Sequence, residues 1–173
     1  MGKDFCRTKP FWGDTDTWKT VNRNFDDLIR LHRPELDRAV GWARCVQIRL
    51  ESIFSLLDDL CAVTCPWCPD HCCLTAKVWF DFKDLLFLHL NGHQIPPAQL
   101  LSNLKETCAY WRPNGCKLPR IARPWVCTWY LCPTQTANLL QKPKSVRHNF
   151  SRAIQDIKTA RKKMESEFIR IVS

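Results

Sequence analysis

Nine of the eleven cysteines in this chain fall between residues 61 and 132, and no other feature limits its folding so strongly. They read Cys61-Ala-Val-Thr-Cys65-Pro-Trp-Cys68-Pro-Asp-His-Cys72-Cys73, followed by Cys108, Cys116, Cys127 and Cys132; Cys6 and Cys45 stand apart. Clustered cysteines are cross-linked, bound to metal, or buried as small apolar groups. From Cys61 to Cys72 the spacing of four, three and four traces one face of a helix, which would suit burial. Pro66 and Pro69 lie inside that stretch, however, and each removes a backbone donor and clashes with the preceding turn. The spacing with its prolines therefore predicts a loop, and Cys-x-x-Cys loops let two thiolates converge on one metal.

Cross-linking is the weaker expectation. A chain of 173 residues, 45% hydrophobic and 25% charged, has material for a core without covalent staples. The first sixteen residues show neither an apolar signal stretch nor a small-residue cleavage site. Cys6 occupies the position where N-myristoylation of Gly2 would want Ser or Thr. The longest apolar run, Leu85 to Leu90, is far below the ~20 residues of a membrane span. The expectation is a cytoplasmic protein with reduced thiols, in which Cys61, Cys65, Cys68, Cys72, Cys73, Cys108, Cys116, Cys127 and Cys132 are metal ligands. Neighbouring side chains diverge, so Cys72 and Cys73 are expected to serve different centres, or one to be a spare thiol. The count suits two four-thiolate sites, or one site plus reactive thiols. Trp67, Trp111, Trp125 and Trp129 lie near these cysteines, where they would pack the loops and exclude water. His71 is a further ligand candidate, ranked below the cysteines.

On either side the pattern is helical, and the chain reads as one mainly α domain over residues 1–173. Residues 1–20 read as an irregular arm and 21–60 as a helical pair divided at Pro34. Phe25, Leu28, Ile29 and His32 share a face of the first helix. Leu36, Ala39, Val40, Ala43, Val46, Leu50, Ile53, Phe54, Leu57 and Leu60 form the stripe of the second. Residues 61–133 are the cysteine region, loop-rich, with helical stretches expected at 80–90 and 97–105. A long amphipathic helix follows over 145–172, with Phe150, Ile157, Met164 and Ile171 seven residues apart. Its apolar stripe is expected to face the 35–60 helix rather than a second copy. Residues 141–173 hold nine Lys/Arg against three Asp/Glu, so most of the net charge of +9 sits there.

Cys65, Cys68 and the pair Cys72-Cys73, then Cys108, Cys116 and Arg123-Pro124-Trp125-Val126-Cys127, resemble the YkgJ-type cysteine-cluster family of zinc- or iron-chelating proteins. The resemblance covers about residues 61–133. Pro69-Asp70-His71 stands where that family has a small, glycine-containing spacer, and Thr-Trp-Tyr-Leu follows Cys127 where it has Arg and an aromatic-Pro pair. Cys61 and Cys132 fall outside its pattern. Flagellin lysine N-methylase has a similar cluster associated with an iron–sulfur centre, which implies a [4Fe–4S] cluster here; this much shorter chain does not inherit the methylase activity. Spacing alone leaves Zn²⁺ and iron–sulfur clusters both open, since soft thiolates accept either.

Three rival motifs carry less. Cys61-x3-Cys65-x2-Cys68 fits the spacing of radical S-adenosylmethionine enzymes, but five glycines and no strand–helix alternation oppose a β/α barrel. Cys65-x2-Cys68 with Cys127-x4-Cys132 would make a zinc-binding structural module, for which the basic C-terminal helix could serve nucleic acid or an acidic partner. Asp156, Glu165 and Glu167 interrupt that basic face and disfavour nucleic acid. His89 and His93 are four apart, but Leu90 stands where a zinc protease needs Glu, so both read as ordinary histidines. Arg123 reads equally as a cation beside a thiolate site or as a surface residue. No glycine-rich phosphate loop, dinucleotide fingerprint or Gly-x-Ser-x-Gly elbow occurs, and no catalytic residue is identified. The sequence reading is therefore an iron–sulfur protein with a redox, metal-handling or cluster-dependent role and a protein redox partner, with zinc as the alternative or second metal.

Overall fold

The computed structural model describes residues 14–113 and 115–173, and over these the chain is mainly helical. Helix α1 (Thr15–Leu31) starts six residues earlier than the 21–60 pair predicts. The polar run Asp14-Thr15-Asp16-Thr17 is a cap rather than an arm, since the Asp14 carboxylate accepts from the Thr17 amide at 2.9 Å. Residues 14–20 are thus corrected to a cap and a first helical turn; 1–13, with Cys6, lie outside the described residues. Trp18 explains why this turn forms: it is buried and its indole N–H donates to the Pro96 carbonyl at 2.9 Å.

A short 3-10 turn at Arg33–Glu35, with Pro34 in it, separates α1 from α2 (Asp37–Thr64). Helix α2 buries Ala39, Ala43, Val46, Leu50, Ile53, Leu57 and Leu60 along one stripe. Against it lies α7 (Lys144–Val172), which contributes Phe150, Ala153, Ile157, Ala160, Met164 and Phe168. The seven-residue repeat of α7 is therefore satisfied within the chain. Helix α4 (Phe82–Leu90) crosses behind, with Leu85 through Leu88 all buried, and touches α1, α2 and α7. None of the described helices is long and apolar enough to cross a membrane.

The helix expected at 97–105 does not form. Side chains compete for backbone groups here: Gln99 Oε1 accepts from the Leu100 N–H at 2.9 Å, and its amide is also anchored outside the segment. The Gln99 amide brackets Phe80, accepting from its N–H at 2.7 Å and donating to its carbonyl at 3.2 Å. The Tyr110 hydroxyl donates to the Ala98 carbonyl at 2.6 Å and accepts from the Ala98 amide at 3.1 Å. With those partners taken, the segment folds as bends that bury Leu100 and Leu101.

Candidate metal centre

The first cysteine segment is part helix. Helix α2 runs on through Cys61 to Thr64, and Cys65–Trp67 forms a 3-10 turn with Pro66 near its start. The predicted loop therefore begins only after Thr64, because a proline disrupts the turn that precedes it and Pro66 lies beyond that point. At Cys68 the backbone is extended, and the thiol donates to the Asp70 carbonyl at 3.3 Å. Cys72 and Cys73 open the one-turn helix α3 (Cys72–Thr75).

Cys72 and Cys73 lie in one helical turn, where successive side chains are ~100° apart rather than opposed. Each acts on the other's ionisation: Cys73 leads the fall of the Cys72 thiol to about 6, and Cys72 leads the rise of Cys73. The Cys108 amide donates to the Cys73 carbonyl at 3.2 Å, joining the second segment to the first. A two-residue hairpin, β1 (Trp111–Arg112) with β2 (Gly115–Cys116), returns the chain so that Cys116 pairs with Trp111. Gly115 makes this return at φ 124°, which side chains rarely adopt. Cys127 comes from α5 (Val126–Trp129).

Cys72, Cys73, Cys108, Cys116 and Cys127 form one electrostatic group. Burial raises Cys108 and Cys127, and the charges of neighbouring thiolates raise them further: Cys116 and Cys72 act on Cys108, while Cys108, Cys116 and Cys72 act on Cys127. Cys127 also keeps an exposed edge, which lets solvent temper its rise. Cys61, Cys65 and Cys132 form a second group around Gln135. Its side-chain N–H₂ donates to Cys61 Sγ at 3.5 Å and Cys65 Sγ at 3.8 Å, and its backbone N–H to Cys132 Sγ at 3.5 Å. Burial and the nearby Cys61 lift the Cys65 thiol to about 11, and the charge of Cys72 adds a smaller rise that links the two groups. Cys68 is half-buried and turned to the Asp70 carbonyl, and Cys45 is exposed on α2.

The anchor of the first group is polar and buried. Arg161 of α7 meets Asp84 Oδ1 at 2.9 Å and Asp81 Oδ1 at 3.0 Å. Asp84 Oδ1 also accepts from the Trp125 amide at 2.9 Å, and the guanidinium lies 5.7 Å from the centre of a Trp125 ring. This knot fixes the chain two residues before Cys127 to both α4 and α7. Of the four tryptophans near the cysteines, Trp67 is 84% exposed and excludes no water, whereas Trp111 and Trp125 are half-buried. His71 rests edge-on to Trp111, with ring centres 6.0 Å apart.

Arg123 spends its guanidinium on the Leu118 carbonyl at 3.1 Å. The arginine that reaches a sulfur is Arg120, 3.7 Å from Cys61 Sγ, held by the carboxylate of Asp58. Sequence reasoning missed both Arg120 and Gln135. Gln135 did leave a signal: Cys132-Pro133-Thr134-Gln135 has a helix cap, proline at the first position and Gln at the third. His89 is stacked on Phe25 at 5.2 Å and bonded to Asp26 and Asn22 at 2.8 Å each, a packed residue. His93 is half-buried against Phe87.

Among the described residues, no three His, Cys, Asp or Glu side chains are set to hold a metal ion as they stand. The donors nevertheless suit a thiophilic metal in kind and number, and a thiol reorients by turning one torsion. The proposed zinc quartet of Cys65, Cys68, Cys127 and Cys132 is not gathered: Cys65 and Cys132 turn to Gln135, whereas Cys127 senses Cys108 and Cys116. The radical-enzyme spacing lacks its frame, since the described strands are two residues each. No protein-family model, curated protein or solved structure matches this chain.

Proposed function

We propose that this is a cytoplasmic metal-binding protein that holds a [4Fe–4S] cluster through Cys72, Cys73, Cys108, Cys116 and Cys127, in a redox, metal-handling or cluster-dependent role. The reading is supported by the chain's path: the Cys108 amide donates to the Cys73 carbonyl at 3.2 Å and the hairpin returns Cys116 beside Trp111. Burial and the charges of Cys108, Cys116 and Cys72 disfavour ionisation of Cys127. Gathering like charges is unfavourable unless a cation neutralises them. When bound, the cluster supplies one-electron chemistry or an iron that binds a small molecule. The chain itself supplies thiolates on short turns and a buried ion pair that fixes the approach to Cys127.

Strictly anaerobic purification, with iron, sulfide and zinc counted per chain, tests this. A brown protein with about four irons and matching sulfide supports it. A colourless protein with zinc and no sulfide, even after anaerobic reconstitution, sinks it in favour of a structural zinc module.

A further inference from the structure

We propose that Cys61, Cys65 and Cys132 form a second metal site, separate from the five-cysteine group, which takes Zn²⁺ and whose thiolates are held by Gln135. It shares with the function above only the premise that the clustered thiols bind metal.

The three sulfurs come from the last turn of α2, the 3-10 turn after it, and the cap of α6 (Pro133–Leu140). Four residues apart at a helix end, Cys61 and Cys65 face the same way. The thiols do not stand grouped around a common point as they are; what singles them out is that all three accept from Gln135. Gln135 is only 8% exposed, and its buried N–H₂ points at two sulfurs. A buried amide donor that serves sulfur gains most when the sulfur is anionic. Its carbonyl accepts from the Cys132 amide at 3.4 Å, which fixes the orientation of the N–H₂. The first turn of α6 adds the Gln135 backbone N–H on Cys132, at the positive end of the helix.

Charge points the same way. Three thiolates around a divalent ion carry −1, and the Arg120 guanidinium, shared with the Asp58 carboxylate, places a cation 3.7 Å from Cys61 Sγ. Zn²⁺ has no geometric preference from its d electrons and takes three protein ligands with water in the fourth position. Cys68, turned to the Asp70 carbonyl, is left out of the set.

The test uses the full chain, purified anaerobically, with zinc affinity measured by competition against a chromophoric chelator. Co²⁺ replaces Zn²⁺ to report sulfur-to-metal absorption. The expected result is that Cys61→Ser with Cys132→Ser loses one zinc and leaves iron and sulfide unchanged. Cys108→Ser with Cys116→Ser does the reverse. Gln135→Leu keeps the zinc but weakens it about 10–100-fold, the usual effect of losing a ligand's hydrogen-bond partner. Zinc that survives Cys61→Ser with Cys132→Ser, or a parent that binds none, overturns the proposal. If the double variant fails to fold by circular dichroism, Gln135→Leu decides: unchanged affinity and an unchanged Co²⁺ spectrum overturn it. A parent without iron or sulfide, whose zinc still depends on Cys61 and Cys132, would defeat the cluster reading and leave this site standing.

Discussion

Asp84 has almost no contact with solvent, and burial raises its carboxyl to about 6; Arg161 opposes the rise and Asp81 adds to it. Its ordinary value is 3.8, so folding favours the protonated form. Its contribution to stability is therefore complete below about pH 4 and lost as pH climbs through about 6. Asp84→Asn removes that dependence. Urea unfolding at a series of pH values should show the variant gaining on the parent by up to roughly 3 kcal/mol between pH 4 and pH 7. A difference that stays flat across that range would show that Asp84 titrates like a free carboxyl.

Between elements, the largest joint is α2 against α7, where Ile157 and Met164 are fully buried. Ile157→Ala should cost about 2–5 kcal/mol in urea unfolding, from lost burial and the cavity left behind. Arg161 joins α7 to α4 and to the stretch before Cys127, and Arg161→Met should be costly for another reason. It strands a buried carboxylate, worth about 3–5 kcal/mol at pH 7, and the loss should shrink at pH 5 as Asp84 takes up its proton. The helices at this scale were legible in sequence because apolar residues three and four apart on α2 and α7 require a partner face. The start of α1 was not, since Asp14 to Thr17 have loop composition and act as a cap only because Trp18 is buried behind them. The bends at 97–105 were hidden too: Gln99 and Tyr110 intercept backbone groups through contacts that no local pattern shows.

For the molecule as a whole, most of the buried core lies in α1, α2, α4 and α7, whereas among the described cysteines Cys45 and Cys61 alone sit on those four helices. Metal removal should therefore leave most of the helical circular dichroism intact while lowering the melting temperature. A metal present at 1,000 times its dissociation constant contributes about 4 kcal/mol. Alkylation followed by peptide mapping should find Cys45 labelled with or without metal, and the proposed ligands protected only when loaded. Uniform labelling in the loaded state would mean that those thiols bind nothing. The nine candidates were visible in sequence, but their division was not. Cys61 and Cys132 are seventy-one positions apart and reach the same Gln135 only because α6 packs on α2. The Arg161 knot has one more consequence. In a random screen for clones that lose their metal, substitutions on α7 should turn up beside those at cysteines, although α7 contains no sulfur ligand. A genetic map of the metal phenotype would then be wider than the coordination sphere, with Arg161 as its remotest locus.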